Sequence, residues 1–148
     1  MPHIERTATV RWDGSLARGA GTIDAMSGAF TRLPFDLPSR VGDPGGKTSP
    51  EELLAAAHAG CITTSLAGVL GGAGTPPGHL ETTVTIHMDE VEGQGHQIVG
   101  SVVEFVVAAD GVDGAALQAA VAEADEGCPF SALLKRAGAT VDVSARLA

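Results

Sequence analysis

At 148 residues the chain has the length of one domain with a real core, and its 44% hydrophobic content marks it as globular rather than disordered. A formal net charge of −9 argues against nucleic acid or an anionic membrane surface as partner. No apolar run is expected to approach the roughly 20 residues of a membrane span, and Met1 to Arg6 carries no apolar segment behind basic residues, so no secretory signal is expected and the cytoplasm is the default compartment.

Aromatic residues make up only 3% of the chain, so Ala, Val, Leu and Ile must fill the core. Thr7 to Trp12 alternates as a strand does, and Asp13-Gly14 turns it. Gly19 to Asp24 reads as a second strand and Ala29 to Phe35 as a third, closed by Pro34 and Pro38; together they predict an antiparallel meander. Pro38 to Lys47 reads as a Gly/Pro-rich loop carrying Arg40, Asp43 and Lys47.

Ser49 then has the chemistry of a helix N-cap, Pro50 falls where its missing N–H costs nothing, and Glu52 completes a capping box. From Leu53 the spacing is helical: Leu53, Ala57, Cys61 and Ser65 form one row, and Leu54, His58, Ile62 and Leu66 the next. Gly71-Gly72 is the expected stop. Thr82 to Glu90 alternates as a half-buried strand, with Thr82, Val84, Ile86 and Met88 on one face. Gln97 to Ala109 is a longer strand, Asp113 caps a second helix ending at Gly127, and Cys128-Pro129 starts a short third helix to Ala137. Thr140 to Leu147 is the last strand. The order implies an α+β fold with antiparallel sheet packed on the long Cys61 helix. The divisions are an N-terminal meander and Arg40 loop (1–47), a central helix (49–70) and a β-β-α-α-β part (80–148).

A thiol reacts as thiolate, and an ordinary cysteine is only a few per cent ionised at neutral pH. On an apolar helix face Cys61 is further disfavoured by desolvation unless a cation reverses the effect. Arg40 is the candidate cation, with Glu51 able to hold its guanidinium as a bidentate partner. Cys128 has a helix N-terminus in its favour. On these grounds either cysteine is a candidate nucleophile, Cys128 slightly ahead, while a cysteine taken blind is more often a small buried hydrophobe. His58 lies three residues before Cys61, near enough for a base, although a packed helix residue is the plainer reading. His87 and His96 flank a turn without the tighter cluster that a metal requires.

The run Thr48-Ser49-Pro50-Glu51-Glu52-Leu53-Leu54-Ala55-Ala56-Ala57-His58-Ala59-Gly60-Cys61 resembles the signature helix of the OsmC/Ohr family of organic hydroperoxide reductases, and Cys128-Pro129-Phe130-Ser131 resembles its second-cysteine motif, C-P-x-S. The Glu-Glu after proline and the H-A-x-C run favour the OsmC branch. The resemblance implies an OsmC-like fold, Cys61 as peroxidatic and Cys128 as resolving cysteine, Arg40 as activating arginine and Glu51 as its salt-bridge partner. It implies an intertwined homodimer with active sites at the interface and a role in antioxidant stress defence. It also implies reduction by an external dithiol, a lipoyl group in the Ohr branch, and no metal or bound cofactor. Ile62-Thr63-Thr64, Ala132 and the loop Val41 to Gly46 depart from the family pattern. An apolar lining from Leu53, Leu54, Ile62 and Leu66, or from Phe30 and Phe35, is expected to favour organic peroxides. The alternatives are a catalytically weak relative that binds a small apolar ligand, and a disulfide-stapled structural protein.

Overall fold

The computed structural model describes residues 3–148; Met1 and Pro2, which begin the segment read for a secretory signal, lie outside the described residues. Contacts gather the chain into two compact units that divide at Leu53/Leu54, inside the long helix.

The first unit is a three-stranded antiparallel sheet of β1 (Ala8–Asp13), β2 (Ala20–Ala25) and β3 (Leu33–Phe35), in that order. The meander is as expected, but the third strand is shorter than Ala29 to Phe35. The Ala25 N–H donates to the Phe30 carbonyl, and Arg32 adopts a left-handed φ of 55°, so the chain is turning until Leu33. Pro34 is tolerated because β3 is an edge strand. Trp12 and Phe35 pack with ring centroids 5.5 Å apart. The Phe35 ring lies over Gly21, where any Cβ would collide with it.

A helical turn, α1 (Leu37–Val41), replaces the loop expected to carry Arg40. Asp36 accepts the Ser39 N–H at 2.8 Å, and the Ser39 hydroxyl bonds back to the Asp36 N–H at 3.0 Å, a capping box with serine in the usual place of glutamate. Asp36 is also paired with Lys47, and these bonds hold its carboxyl below the usual carboxylate range.

The long helix α2 (Pro50–Gly72) opens as its sequence dictates: the Ser49 hydroxyl accepts the Glu52 N–H at 3.1 Å. The box closes differently, since the Glu52 carboxylate accepts the Thr48 hydroxyl at 2.8 Å. Gly71 and Gly72 remain helical, and the chain turns away only at Gly74, with φ of +80°. From Leu53 to Gly72 the helix carries no Asp, Glu, Lys or Arg, and an 18-residue window has a mean hydropathy of 1.6. That amends the expectation that no run approaches a membrane span. The core helix of a globular protein meets the same measure, and one row of this helix is indeed core.

In the second unit β4 (His79–Val91) and β5 (Gly95–Ala108) form a long antiparallel hairpin. The two faces of β4 separate as expected, with Thr82, Val84, Ile86 and Met88 inward. The strand β6 (Thr140–Leu147) pairs with β5 in parallel. The expectation of purely antiparallel sheets therefore fails at this one ladder. The reason is the crossover: α3 (Gly114–Gly127) and α4 (Pro129–Arg136) carry the chain back along the sheet before β6 begins. Asp113 caps α3 by accepting the Ala116 N–H at 2.8 Å. The core joins Ile62, Leu66 and Leu70 of α2, Val103, Phe105 and Val107 of β5, and Leu117, Ala120, Val121 and Ala124 of α3 with Cys128.

Candidate active site

The core row of α2 is His58, Ile62, Leu66 and Leu70, all buried. Cys61 lies on the neighbouring row, partly exposed, and packs against the core edge. Cys128 is the hinge between α3 and α4, at once the C-cap of one and the N-cap of the other, and is fully buried. Its sulfur accepts the Ser131 N–H at 3.5 Å. Both cysteines are free thiols, and Cys61 packs against the core cluster that holds Cys128, whose thiol influences its ionisation. Burial pushes the Cys61 thiol up from its ordinary pKa and its bond with the Cys128 thiol raises it further, while the Phe130 backbone N–H acts the other way. Left to these groups alone, Cys61 is a poorer nucleophile than a free cysteine at neutral pH.

Arg40 and Glu51 meet within the first unit. The Arg40 Nη2 donates to Glu51 Oε1 at 2.6 Å, and its Nε is 3.2 and 3.3 Å from the two carboxylate oxygens. This is the forked pairing that the residue types predict. Burial pushes the Glu51 carboxyl up, but its bond to Arg40, its backbone N–H, the Arg40 charge and the Ser49 hydroxyl together hold it below its ordinary value. The Glu51 bond raises the guanidinium correspondingly. Trp12, Leu16, Phe35, Asp36, Leu37 and Arg40 line a small cavity of about 160 Å³.

The expected apolar lining is thus divided. Phe35 borders the Arg40 cavity, whereas Ile62 and Leu66 are fully buried in the core. The unusual Ile62-Thr63-Thr64 run has structural uses. Thr63 bonds Thr82 on β4 at 2.6 Å, and the Thr64 hydroxyl donates to the Cys61 carbonyl at 2.8 Å. Among the described residues no group of three His, Cys, Asp or Glu side chains could hold a metal ion.

His58 is wholly buried, Nδ1 2.8 Å from the Ser101 hydroxyl and Nε2 2.8 Å from that of Ser131. It is a packed residue, in line with its plainer reading. Sequence reasoning gives Ser101 and Ser131 no role of their own. The signals are nonetheless present: Ser131 closes the C-P-x-S run, and Ser101 is a lone hydroxyl in the apolar run of β5.

Burial lowers the His58 pKa; the Asp125 charge opposes this and the Lys135 charge adds to it. The imidazole is therefore neutral when folded, while the unfolded chain takes up a proton near pH 6.5. Stability is expected to be full above that pH and to fall as pH drops from about 6.5 towards the lowered folded value. Urea midpoints at pH 7.5 and 5.5 check this: His58→Gln should flatten the slope relative to wild type.

A family model described as OsmC-like protein matches residues 42–144. Peroxiredoxin OsmC of Escherichia coli is 34% identical over 132 residues, covering 89% of this chain and 91% of that protein. An organic hydroperoxide resistance protein of Xanthomonas axonopodis pv. citri is 31% identical over 99 residues, covering 66% of this chain and 67% of that one. The fold matches the organic hydroperoxide resistance protein OhrB of Bacillus subtilis with a TM-score of 0.67 and 26% identity, over 96% of this chain and 98% of that one. An OsmC-like protein of Vibrio cholerae matches with a TM-score of 0.79 and 15% identity over 97% of this chain and 100% of that one, a likeness of fold alone.

Proposed function

Because this chain belongs to the OsmC family, we propose that it is a thiol-dependent peroxidase that reduces organic hydroperoxides to alcohols. The observation that carries this reading is a partly exposed thiol, Cys61, packed against the core cluster that contains a fully buried one, Cys128. The Cys61 thiolate attacks the terminal peroxide oxygen, the O–O bond breaks, and the alcohol leaves with a proton while Cys61 becomes a sulfenic acid. Cys128 condenses with it, forming the disulfide and releasing water. An external dithiol, such as a lipoyl group, returns both thiols by exchange.

Arg40, held by Glu51, is assigned the two tasks that the thiol pair does not perform: it stabilises the Cys61 thiolate and the charge developing on the leaving oxygen. The apolar walls beside Arg40, Trp12 and Phe35 among them, support an organic rather than a hydrogen peroxide substrate. Two free cysteines suit a reducing compartment such as the cytoplasm.

The test is steady-state consumption of tert-butyl hydroperoxide with dithiothreitol. A rate well above the control without enzyme is expected; none would favour a relative that only binds an apolar ligand. We further propose a homodimer in which each site takes groups from both chains. Only 22% of the most apolar window of α2 is buried, and Ala56, Ala57, Gly60, Thr64 and Gly68 are exposed, which is more apolar helix than a lone chain leaves bare. Light scattering at micromolar concentration should report the mass of two chains, and a stable monomer would count against this assembly.

A further inference from the structure

The turn that carries Cys128 is tied down from two other elements by one buried side chain. His58 of α2 links Ser101 of β5 to Ser131 in the first turn of α4, with both ring nitrogens 2.8 Å from a serine hydroxyl. All three residues and Cys128 are fully buried. A neutral imidazole has one donor and one acceptor nitrogen, so a serine hydroxyl at each end satisfies both in a site without water. The backbone N–H of Ser131 in the tethered turn donates to the Cys128 sulfur at 3.5 Å.

We propose that His58 is a positioning residue for the resolving step: through Ser131, braced by Ser101, it holds the first turn of α4 so that the Cys128 sulfur is aligned on Cys61. The inference rests on the two-cysteine reading above. In the step concerned, the Cys128 sulfur attacks the sulfenic sulfur of Cys61 and the S–S bond forms. The S–O bond breaks, and the oxygen leaves as water with the Cys128 proton. Disulfide geometry tolerates little error in the placement of either Cβ, and a misplacement of about 1 Å can cost on the order of a hundredfold in rate. Attack by Cys61 on the peroxide requires no such alignment of Cys128. The tether therefore bears chiefly on the second step; the first feels it only through the Phe130 backbone N–H near Cys61.

Rapid mixing with one equivalent of tert-butyl hydroperoxide, followed by dimedone trapping and intact mass, separates the two steps. Ser131→Ala is expected to leave Cys61 oxidation within about twofold of wild type and to slow disulfide formation about tenfold, so that trapped sulfenic acid accumulates. With excess peroxide it should also form sulfinic acid, which wild type avoids. Ser101→Ala removes one bond of the same kind but leaves the Ser131 tether, and should slow condensation about threefold or less. His58→Asn, whose amide stands in for Nδ1 alone, should behave as Ser131→Ala does and gives a second route should that variant fold poorly. Condensation at the wild-type rate in Ser131→Ala and His58→Asn would overturn the proposal, as would equal slowing of both steps in all three variants. A wild-type protein that forms no Cys61–Cys128 disulfide would instead overturn the two-cysteine reading, and the proposal with it.

Discussion

Cys61→Ser is expected to abolish hydroperoxide reduction, whereas Cys128→Ser should complete one turnover and stop. The difference follows from access and electrons. Cys61 is the thiol that peroxide can reach, since Cys128 has no exposed surface. A serine hydroxyl at position 61 is far too weakly acidic and nucleophilic to replace a thiolate. Without Cys128 the first oxidation proceeds, but the sulfenic acid has no neighbouring thiol and is trapped or overoxidised to sulfinic acid. Stopped-flow consumption of one equivalent of peroxide decides the matter: a burst of about one equivalent per chain in Cys128→Ser, and none in Cys61→Ser. The reverse pattern would exchange the two roles, which is what the helix N-terminus at Cys128, taken alone, favours.

Arg40→Met is expected to raise the Cys61 pKa by one unit or more. The groups around Cys61 push its pKa up through burial and the Cys128 thiol, and the role proposed for Arg40 is to oppose them. At neutral pH the rate of alkylation by iodoacetamide should fall roughly tenfold per unit of pKa, softened by the greater nucleophilicity of the more basic thiolate. Arg40→Lys should be intermediate, because an ammonium keeps the charge but cannot form the fork that Nε and Nη2 make on Glu51. Glu51→Gln should do less than Arg40→Met, since it frees the guanidinium without removing its charge. A pH titration of alkylation measures all four proteins. An unchanged thiol pKa in Arg40→Met would remove Arg40 from the mechanism and leave Arg32 and Lys47 as the next cations to test.

Residues that act through their immediate neighbours in the chain are legible from the sequence by itself. Ser49, Asp113 and Cys128 each cap the helix that their position announces, because a cap is a bond to a backbone N–H two or three residues away. The alternation of β4 and the start of β6 at Thr140 follow from side-chain period and turn residues in the same way. Arg40 and Glu51, eleven residues apart, are complementary in charge and shape, and the forked bond between them is there. One local device escapes such a reading: the Asp36/Ser39 box that makes α1 a helix uses serine as the reciprocal partner, so a search for Glu or Gln passes over it.

What tertiary structure alone decided concerns groups distant in sequence. Helical periodicity puts His58 and Ile62 on one row and Cys61 on the next, and it cannot say which row faces the core. The packing of β5 and α3 chose the first, which left Cys61 at the edge and buried Ile62 and Leu66 in the core. The parallel pairing of β6 depends on where the α3–α4 crossover sets the chain down. The packing of Cys61 against the core cluster that holds Cys128 is equally remote from any local pattern. So are the bonds of His58, which reach 43 residues along the chain to Ser101 and 73 to Ser131. No local spacing encodes such contacts; only the burial of the shared core brings those side chains together and makes an unpaired imidazole among them costly.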